Sequence, residues 1–587
     1  MTGDRGPIDI EKIEDYLTIP MPASDQLVFD DSRRITGPGM LWDKRGALVD
    51  ILVDGFDKAE VVSAWMPEIK RVLTALDWMD SETTSRIFEN GVTLAISAPV
   101  DLLYSAVFAI ETSWHLTASK LLNQPANDFD DLIADLNDVI GLEQNPTLIE
   151  LQKAADSRGI DILSDDDYVS LGHGGGSSRW NINEIPDIAD IKWDQLHNLP
   201  IALITGTNGK STSVRLTTAI GEAAGLMSGS TSTDFVKLGD EILDYGDYSG
   251  PGGARMLLRD QRLEIAFLEC ARGGILRRGL PLFQARAALV TNIAADHLGQ
   301  YGVNTIEALA EAKFAVARAV AQDGVLVLNA DDPLVVANGN AFDKTKCWFA
   351  LSPQNENIMR ARAAGTPCCW LDKNVIRYFD GKDIVLNLDV DQIPVAMGGA
   401  AKFNIQNAMG SIGLAKAMKL DNKAIVDGLT RFTASPDDNP GRCNEFNVNG
   451  ARIFVDFAHN PHAIGAMSQL LENLPARRKF LLISHAGDRS DDEIKGLTQG
   501  ALGFAPDTVV IAELADYLRG RELGEVPTLI EQECLASDPI ETSIVHVASP
   551  SLGVEHILDQ VGVGDIALVL ALSDRDKVFE LIKKATD

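Results

Sequence analysis

The stretch Ile201-Ala202-Leu203-Ile204-Thr205-Gly206-Thr207-Asn208-Gly209-Lys210-Ser211-Thr212 leaves this chain few folds to choose from. Four apolar residues ahead of a glycine-punctuated loop predict a short buried strand at Ile201–Ile204. Ser213 to Ala224 then runs without proline and stops at Gly225, which predicts a helix with a glycine C-terminal signal. Strand, glycine loop, Lys-Ser and helix in this order make a phosphate cradle. The N–H groups of the loop and of the helix N-terminus face the anion, the lysine adds a point charge, and the hydroxyl after it reaches Mg²⁺. A general phosphate loop would have a glycine where Ile204 stands; here the first glycine is Gly206, so the loop is shorter. Nucleotide binding by residues 205–212 is therefore the first expectation.

Around this motif, from Leu199 to about Ser435, predicted strands alternate with helical stretches, the pattern of an α/β fold with a mostly parallel sheet. The strands are expected at Ile201–Ile204, Ile265–Cys270, Ala287–Ile293 and Val325–Asn329, with a helix over Thr305–Val320. Three of them end in polar residues: Glu269, then Asp296-His297, then Asn329-Ala330-Asp331-Asp332. Ligands of open α/β sheets bind at that edge, so these groups converge on the phosphate loop. A second α/β unit follows from about Pro436, with strands expected at Ile453–Asp456, Lys479–Ser484, Thr508–Ala512 and Ile566–Leu572.

Residues 1–178 have their own apolar pattern, including a strand at Ala47–Val53, a long apolar stretch over Thr93–Leu122 and helical spacing at Phe129–Ile140 and Leu148–Ala155. His173-Gly174-Gly175-Gly176 reads as a flexible junction, and the polar stretch up to Asn198 as a linker. Three domains are thus expected, at 1–178, 179–435 and 436–587, in keeping with a length of 587 residues. The chain carries 85 acidic and 52 basic residues, a net charge of −33. A field of this sign opposes nucleic acid and anionic membranes, so neither is an expected partner. Six scattered cysteines without a C-x-x-C pair, a polar N-terminus and no apolar run near the length of a membrane span give the expectation of a cytoplasmic protein with reduced thiols.

Thr205–Thr212 resembles the phosphate loop of the ATP-dependent Mur ligases, whose short glycine spacing matches the departure noted above. Leu268-Glu269-Cys270-Ala271-Arg272-Gly273-Gly274-Ile275-Leu276-Arg277-Arg278-Gly279-Leu280 is similar to a signature of the cyanophycin synthetases within that family. So are Thr291-Asn292-Ile293 with Asp296-His297-Leu298-Gly299, Gly487-Asp488-Arg489, and Arg519-Gly520-Arg521 with Gly524-Glu525. The N-terminal third is more loosely similar to the first domain of the same synthetases, through Gly37-Pro38-Gly39, Ala154–Ile160 and Leu171-Gly172-His173-Gly174. An ATP-grasp domain separates those two parts in the synthetases; here the linker runs straight into the phosphate loop.

The resemblance implies an N-terminal α+β domain, a central phosphate-loop domain and a C-terminal Rossmann-like α/β domain. It implies a ligase that uses ATP and Mg²⁺ to turn a carboxylate into an acyl phosphate, which the amine of an amino-acid co-substrate then attacks. Position by position, Lys210 would meet the β- and γ-phosphates, Ser211 and Glu269 one Mg²⁺, and His297 a second. Lys313 stands where the family carries a carbamylated lysine. Asn404 and Asn407 match the H-N-x-x-N element that meets adenine, with Phe403 in place of its histidine. Arg442 matches an arginine that reaches the γ-phosphate, and Asp456 an aspartate near the ribose and phosphates. The expected substrate is an aspartate-containing or similar acidic peptide, held by a locally basic groove at Arg272, Arg277 and Arg278. A peptidoglycan-like or folate-like acid is the alternative substrate; a nucleotide-binding scaffold without turnover is the alternative role. The N-terminal domain is expected to hold that substrate or to build a homo-oligomer interface.

Overall fold

A computed structural model of the chain describes residues 13–472, 474–537 and 542–586. Its centre is an eleven-stranded sheet with Ile201–Thr205 in the middle, flanked by Ile265–Glu269 and Ala285–Val290. All three pair in parallel, and the parallel run extends from Ser228–Thr231 to Cys368–Asp372; antiparallel strands are added at both ends. Every residue of Ile201–Thr205 is buried because helices cover both faces, which explains an apolar run without alternation. The helix Lys210–Ala223 packs on one face with Lys402–Ala417 and Asn422–Arg431. Gly428 touches the backbone of Ile220, where a side chain would not fit.

The expected helix over Thr305–Val320 is shorter: it runs Ile306–Lys313, turns at Phe314 into a four-residue piece Ala315–Arg318, and becomes a strand at Val320. Val320–Asn329 is a ten-residue strand, longer than expected, because its first half pairs with Ala285 below the apolar stretch that the sequence makes visible.

The C-terminal unit is a six-stranded sheet in the order Asn444–Val448, Ala451–Asp456, Ile566–Leu570, Lys479–Ile483, Thr508–Ala512 and Ser543–Val547. Only the first strand is antiparallel.

The N-terminal region is built in two pieces. Leu27–Ile35, Gly46–Val53, Gly91–Ser97 and Thr83–Phe88 form an antiparallel sheet, on which the helices Lys58–Ala75 and Leu103–Leu121 bury Trp65 and Trp114. The long apolar stretch over Thr93–Leu122 thus divides into a strand and a helix. A small sheet follows from Ile162–Ser164, Tyr168–Leu171 and Ser178–Asn181, with a core of Leu148, Leu151, Val169 and Leu171. His173 is wholly buried and the three glycines after it form a tight turn, so this segment is not a flexible junction. Gly174 has φ +56° and a Cβ there would lie 2.2 Å from Leu263 O, so the glycine run is needed for close backbone packing. The stretch to Asn198 is part of this unit too, since Ile182, Ile191 and Leu196 enter its core.

Arg33 joins the N-terminal sheet to the central domain. Its guanidinium lies 2.7 Å from fully buried Asp50 and 4.7 Å from the ring of Tyr301, and its Nε donates to Leu276 O at 2.9 Å. Removing one partner of a buried pair leaves the other charge uncompensated. Arg33→Leu is therefore expected to cost about 3–5 kcal/mol of stability at neutral pH, read as a lower denaturation midpoint in urea.

Candidate active site

The phosphate loop is fixed from below by the neighbouring strand end. The Asn208 N–H donates to Asn292 Oδ1 at 2.9 Å, while Asn208 O accepts from Thr291 Oγ1 at 2.6 Å and from Asn292 Nδ2 at 3.0 Å. Gly209, with φ +82°, precedes the helix Lys210–Ala223, and no side chain caps that helix. Its first-turn N–H groups therefore remain donors for an anion. Lys210 Nζ folds back to Thr207 O at 2.8 Å, within reach of the same space.

Behind the loop lies Glu269, at the end of its strand and 2% exposed. Among the described residues neither of its oxygens has a hydrogen-bond partner within bonding geometry. Burial raises its affinity for a proton; Lys210, then Ser211, Arg442 and Arg215, pull the other way. A buried carboxylate with free oxygens beside a serine hydroxyl is a donor set for a hard cation. Lys313 closes the rear wall. It is 4% exposed, its Nζ donates to Gly206 O at 2.8 Å, and burial together with the nearby Lys210 charge holds it well below the usual lysine range. It is no surface lysine, as the last residue of a longer exposed helix would be.

His297 sits in a left-handed backbone conformation, φ +48°, that only a few per cent of non-glycine residues adopt. A ring nitrogen of His297, a ring nitrogen of His459 and an oxygen of Asp296 all lie within 4.8 Å of one another. His459 comes from the C-terminal domain, as do Arg442 and Asp456. Asp456 is buried and accepts from the Cys443 and Ala458 N–H groups, both at 2.7 Å; burial pushes it up to about 6 against the pull of Arg442. Arg442 lies over the Phe457 ring at 5.7 Å.

These groups line two adjoining cavities. The larger, about 1270 Å³, takes in Lys210, Ser211, Glu269, Arg272, Arg277, Arg278, His297, Lys313 and Arg442. The narrower one lies between the loop and the C-terminal domain and takes in Thr207–Thr212, Asn404, Asn407, Arg442 and Asp456. Asn404 Nδ2 is committed to Val395 O and its Oδ1 to Asn407, whose own carbonyl oxygen faces Gly209. Phe349 and Phe403 supply apolar wall to this cleft. Thr205 and Gly206 line neither cavity: the Thr205 hydroxyl donates to Cys270 O at 2.7 Å, and Gly206 O accepts from Lys313. They hold the loop rather than face the site.

Arg272 donates to Gln300 Oε1 at 2.7 Å and keeps a second, buried nitrogen without a partner, whereas Arg277 makes only a 3.3 Å bond to Gly273 O. The Arg278 carbonyl accepts from both N–H and Oγ1 of Thr36, so this segment is pinned to the N-terminal sheet.

Several site groups carried no signal that sequence reasoning could use. Arg33, Arg34 and Tyr104 of the N-terminal sheet and its helix form one wall of the larger cavity. Asn460 pairs with Asn208 across the domain boundary by two reciprocal amide bonds, of 3.1 and 2.9 Å. Asp296 lies in a stretch whose motif was legible and His459 three residues after Asp456, but their meeting is a product of domain arrangement.

A phosphate loop at the centre of a doubly covered parallel sheet, with its cleft closed by a second α/β domain, defines a nucleotide-dependent α/β enzyme of two cooperating domains. Residues 204–415 match the Mur ligase middle domain and residues 441–571 the Mur ligase glutamate ligase domain. The chain belongs to the Mur ligase family. It is 35% identical over 371 residues to a cyanophycin synthetase of Crocosphaera subtropica, covering 63% of this chain and 42% of that one. A cyanophycin synthetase of Synechocystis sp. is 35% identical over 385 residues, covering 66% and 44%. The match thus spans less than half the length of these curated relatives. Among solved structures, E. coli FolC in complex with ADP overlays with a TM-score of 0.49 at 18% identity, covering 66% of this chain and 89% of that one. No helix among the described residues is long and apolar enough to cross a membrane.

Among the described residues both ring nitrogens of His485, just beyond the strand Lys479–Ile483, lack partners, and burial pushes its pKa down to about 3. The fold holds this imidazole neutral, whereas the unfolded chain takes up a proton near pH 6.5. Its contribution is thus complete above that pH and lost as pH falls toward 3, at about 1.4 kcal/mol per unit. His485→Gln cannot titrate. The stability of the wild type relative to this variant should fall by about 2 kcal/mol between pH 7 and pH 5, measured by urea unfolding at both.

Proposed function

We propose that this chain is an ATP-dependent amide-forming ligase that activates a carboxylate as an acyl phosphate and joins it to an amino-acid amine. The observation that carries this reading is the set of opposed charges around the loop. Lys210 and the free helix N–H groups offer an anion cradle, while the unpartnered oxygens of Glu269 offer a cation seat beside it. A nucleotide phosphate with its divalent ion satisfies both at once.

ATP supplies the phosphoryl group and Mg²⁺ the charge neutralisation at its oxygens. The protein's share is placement. Lys210 holds the phosphates in register, Ser211 and Glu269 hold one ion, and His297 serves a second. Arg442 enters from the C-terminal domain, opposite Lys210, where charge builds up on the transferred group. Asp456, fixed by two backbone N–H groups, is placed to orient Arg442 and the ribose end of the nucleotide. Asn404 and Asn407 serve the base. Lys313, held as a buried amine below its ordinary pKa, is chemically suited to take up CO₂, and a carbamate there would add a negative ligand beside the second ion. Residues 1–178 supply the far wall of the substrate cavity.

The carboxylate substrate is proposed to be an acidic peptide. The larger cavity is lined by more arginines and lysines than carboxylates, in a chain of net charge −33, so an acidic chain is drawn to it locally. Phosphate release from ATP, measured across a panel of amino acids and acidic dipeptides, tests the reading directly. Lys210→Ala should abolish that release in a folded protein, and turnover at wild-type level would overturn the assignment. Arg277→Glu should raise KM for the acidic substrate about tenfold or more, on the scale of one lost charge-assisted contact, with KM for ATP little changed.

A further inference from the structure

We propose that Arg86 is a positioning residue for His297: the hairpin of Thr83–Phe88 and Gly91–Ser97 holds the loop 297–304 in the conformation that presents His297 to the larger cavity. The inference rests on the ligase reading for the use made of His297, but it concerns what sets the place of that residue.

Four of the six residues from His297 to Gly302 have a left-handed backbone: His297 at φ +48°, Gly299 at +93°, Tyr301 at +55° and Gly302 at +65°. Two of the four are not glycine, and such a conformation persists only where its surroundings over-determine it. The loop closes on itself through Gly299 N–H to Val303 O at 2.9 Å and Val303 N–H to Gln300 O at 3.1 Å. The N-terminal sheet grips it from outside. Thr84, Arg86 and Phe88 share the covered face of their strand, while Ser85 and Ile87 between them are exposed. Arg86 Nη1 donates to Gly302 O at 2.8 Å. The Phe88 ring lies flush on the same glycine, where a Cβ would stand 2.8 Å from it. In the hairpin turn, Asn90 Oδ1 accepts from Asn304 Nδ2 at 2.7 Å. Arg33, from the strand at the opposite edge of that sheet, lies 4.7 Å from the Tyr301 ring.

The grip reaches the site along the chain. His297 lies five residues before Gly302, and Gln300 between them accepts from Arg272 at 2.7 Å. Arg86 Nε also stands 3.9 Å from Glu311 Oε2, two residues before Lys313 on the helix Ile306–Lys313. One guanidinium outside the larger cavity thus borders both segments that bring His297 and Lys313 into it.

The competing reading makes Arg86 a domain-docking contact alone, which would leave the loop unchanged in any variant that folds. Arg86→Met separates the two, since it keeps an unbranched side chain and removes the donor. Hydrogen–deuterium exchange of the full chain, without nucleotide or metal, should show the Gly299 and Val303 amides exchanging about tenfold faster or more, the scale of one charge-assisted bond. Exchange in Ile201–Thr205 should not change. Arg86→Lys keeps a donor and should restore most of the protection. In turnover, Arg86→Met should lower kcat about tenfold with KM for ATP little changed, and Arg86→Lys should recover it. Lys44→Ala, which breaks a surface pair with Glu82 at the other end of the same strand, should alter neither readout. Unchanged exchange in a folded Arg86→Met, or an Arg86→Lys no better than Arg86→Met, would overturn the proposal. Should Arg86→Met not fold, Asn90→Ala at the exposed turn makes the same test through the Asn304 bond, with about fivefold faster exchange of the two amides expected. A wild type without turnover would remove the ligase reading, while the exchange would still decide whether the hairpin holds the loop.

Discussion

Every polar group of Asn208 is spoken for, and the site depends on it. The backbone N–H and C=O are held by Asn292 and Thr291, at the end of the adjacent strand, and the side chain is held by Asn460 from the other domain. One residue thus fixes the phosphate loop to the sheet and registers the C-terminal domain against both. A carboxamide suits this task because it donates and accepts at once, so two such groups pair reciprocally without bringing charge next to a phosphate. An aspartate at the same place would accept only, and would repel the anion that the loop is shaped to receive.

Around that fixed point the protein keeps ionisable groups in a state of deliberate mismatch. Glu269 is buried without hydrogen bonds, Lys313 is buried against another cation, and Asp456 is raised to about 6. Each costs stability by itself, since a buried charge is tolerable only when it is paired. Elsewhere the chain does pair them: Arg33 with Asp50, and Arg215 with Asp234. Beside the phosphate loop several such groups stand together, where ligand charges would complete the set.

The parallel sheets were legible because their signals are local. A buried parallel strand is a short apolar run, and a phosphate loop is a contiguous motif, so Ile201–Ile204, Thr508–Ala512 and the polar strand end at Glu269 could be read directly. Strand ends were less so: Val320–Asn329 begins five residues before its apolar stretch, since edge pairing does not require apolar side chains. His173 and its glycines suggested freedom, yet His173, Gly174 and Gly176 are buried; a glycine run marks either mobility or close packing, and only the neighbouring backbone at Leu263 distinguishes the two. What no local signal could supply was the meeting of distant residues. Arg34, Tyr104 and His459 reach the site through the docking of three units, and the sequence surroundings of Arg34 and Tyr104 look like those of ordinary sheet and helix residues.

That docking is uneven in a way that matters for motion. On one side of the central-to-C-terminal boundary, Met397 and Phe403 pack against the C-terminal core around Cys443 and Phe454. Nearer the phosphate loop, the bonds across the boundary are polar: Asn208 with Asn460, Asn208 with His462, and Arg215 with Asn439 of the connecting segment. The neutral bonds of the Asn208 side chain each contribute about 1 kcal/mol net, because water replaces them when they part. Breaking the apolar side would instead expose hydrocarbon at about 25 cal/mol per Å². A rotation that keeps Phe403 in place and parts the asparagines is therefore the low-cost opening of this molecule. On the proposed ligase reading, a nucleotide held by Lys210 from one domain and Arg442 from the other would add charged bonds to the side that parts easily. The ligand would then decide whether the cleft is shut, and the hydrophobic side the axis about which it shuts.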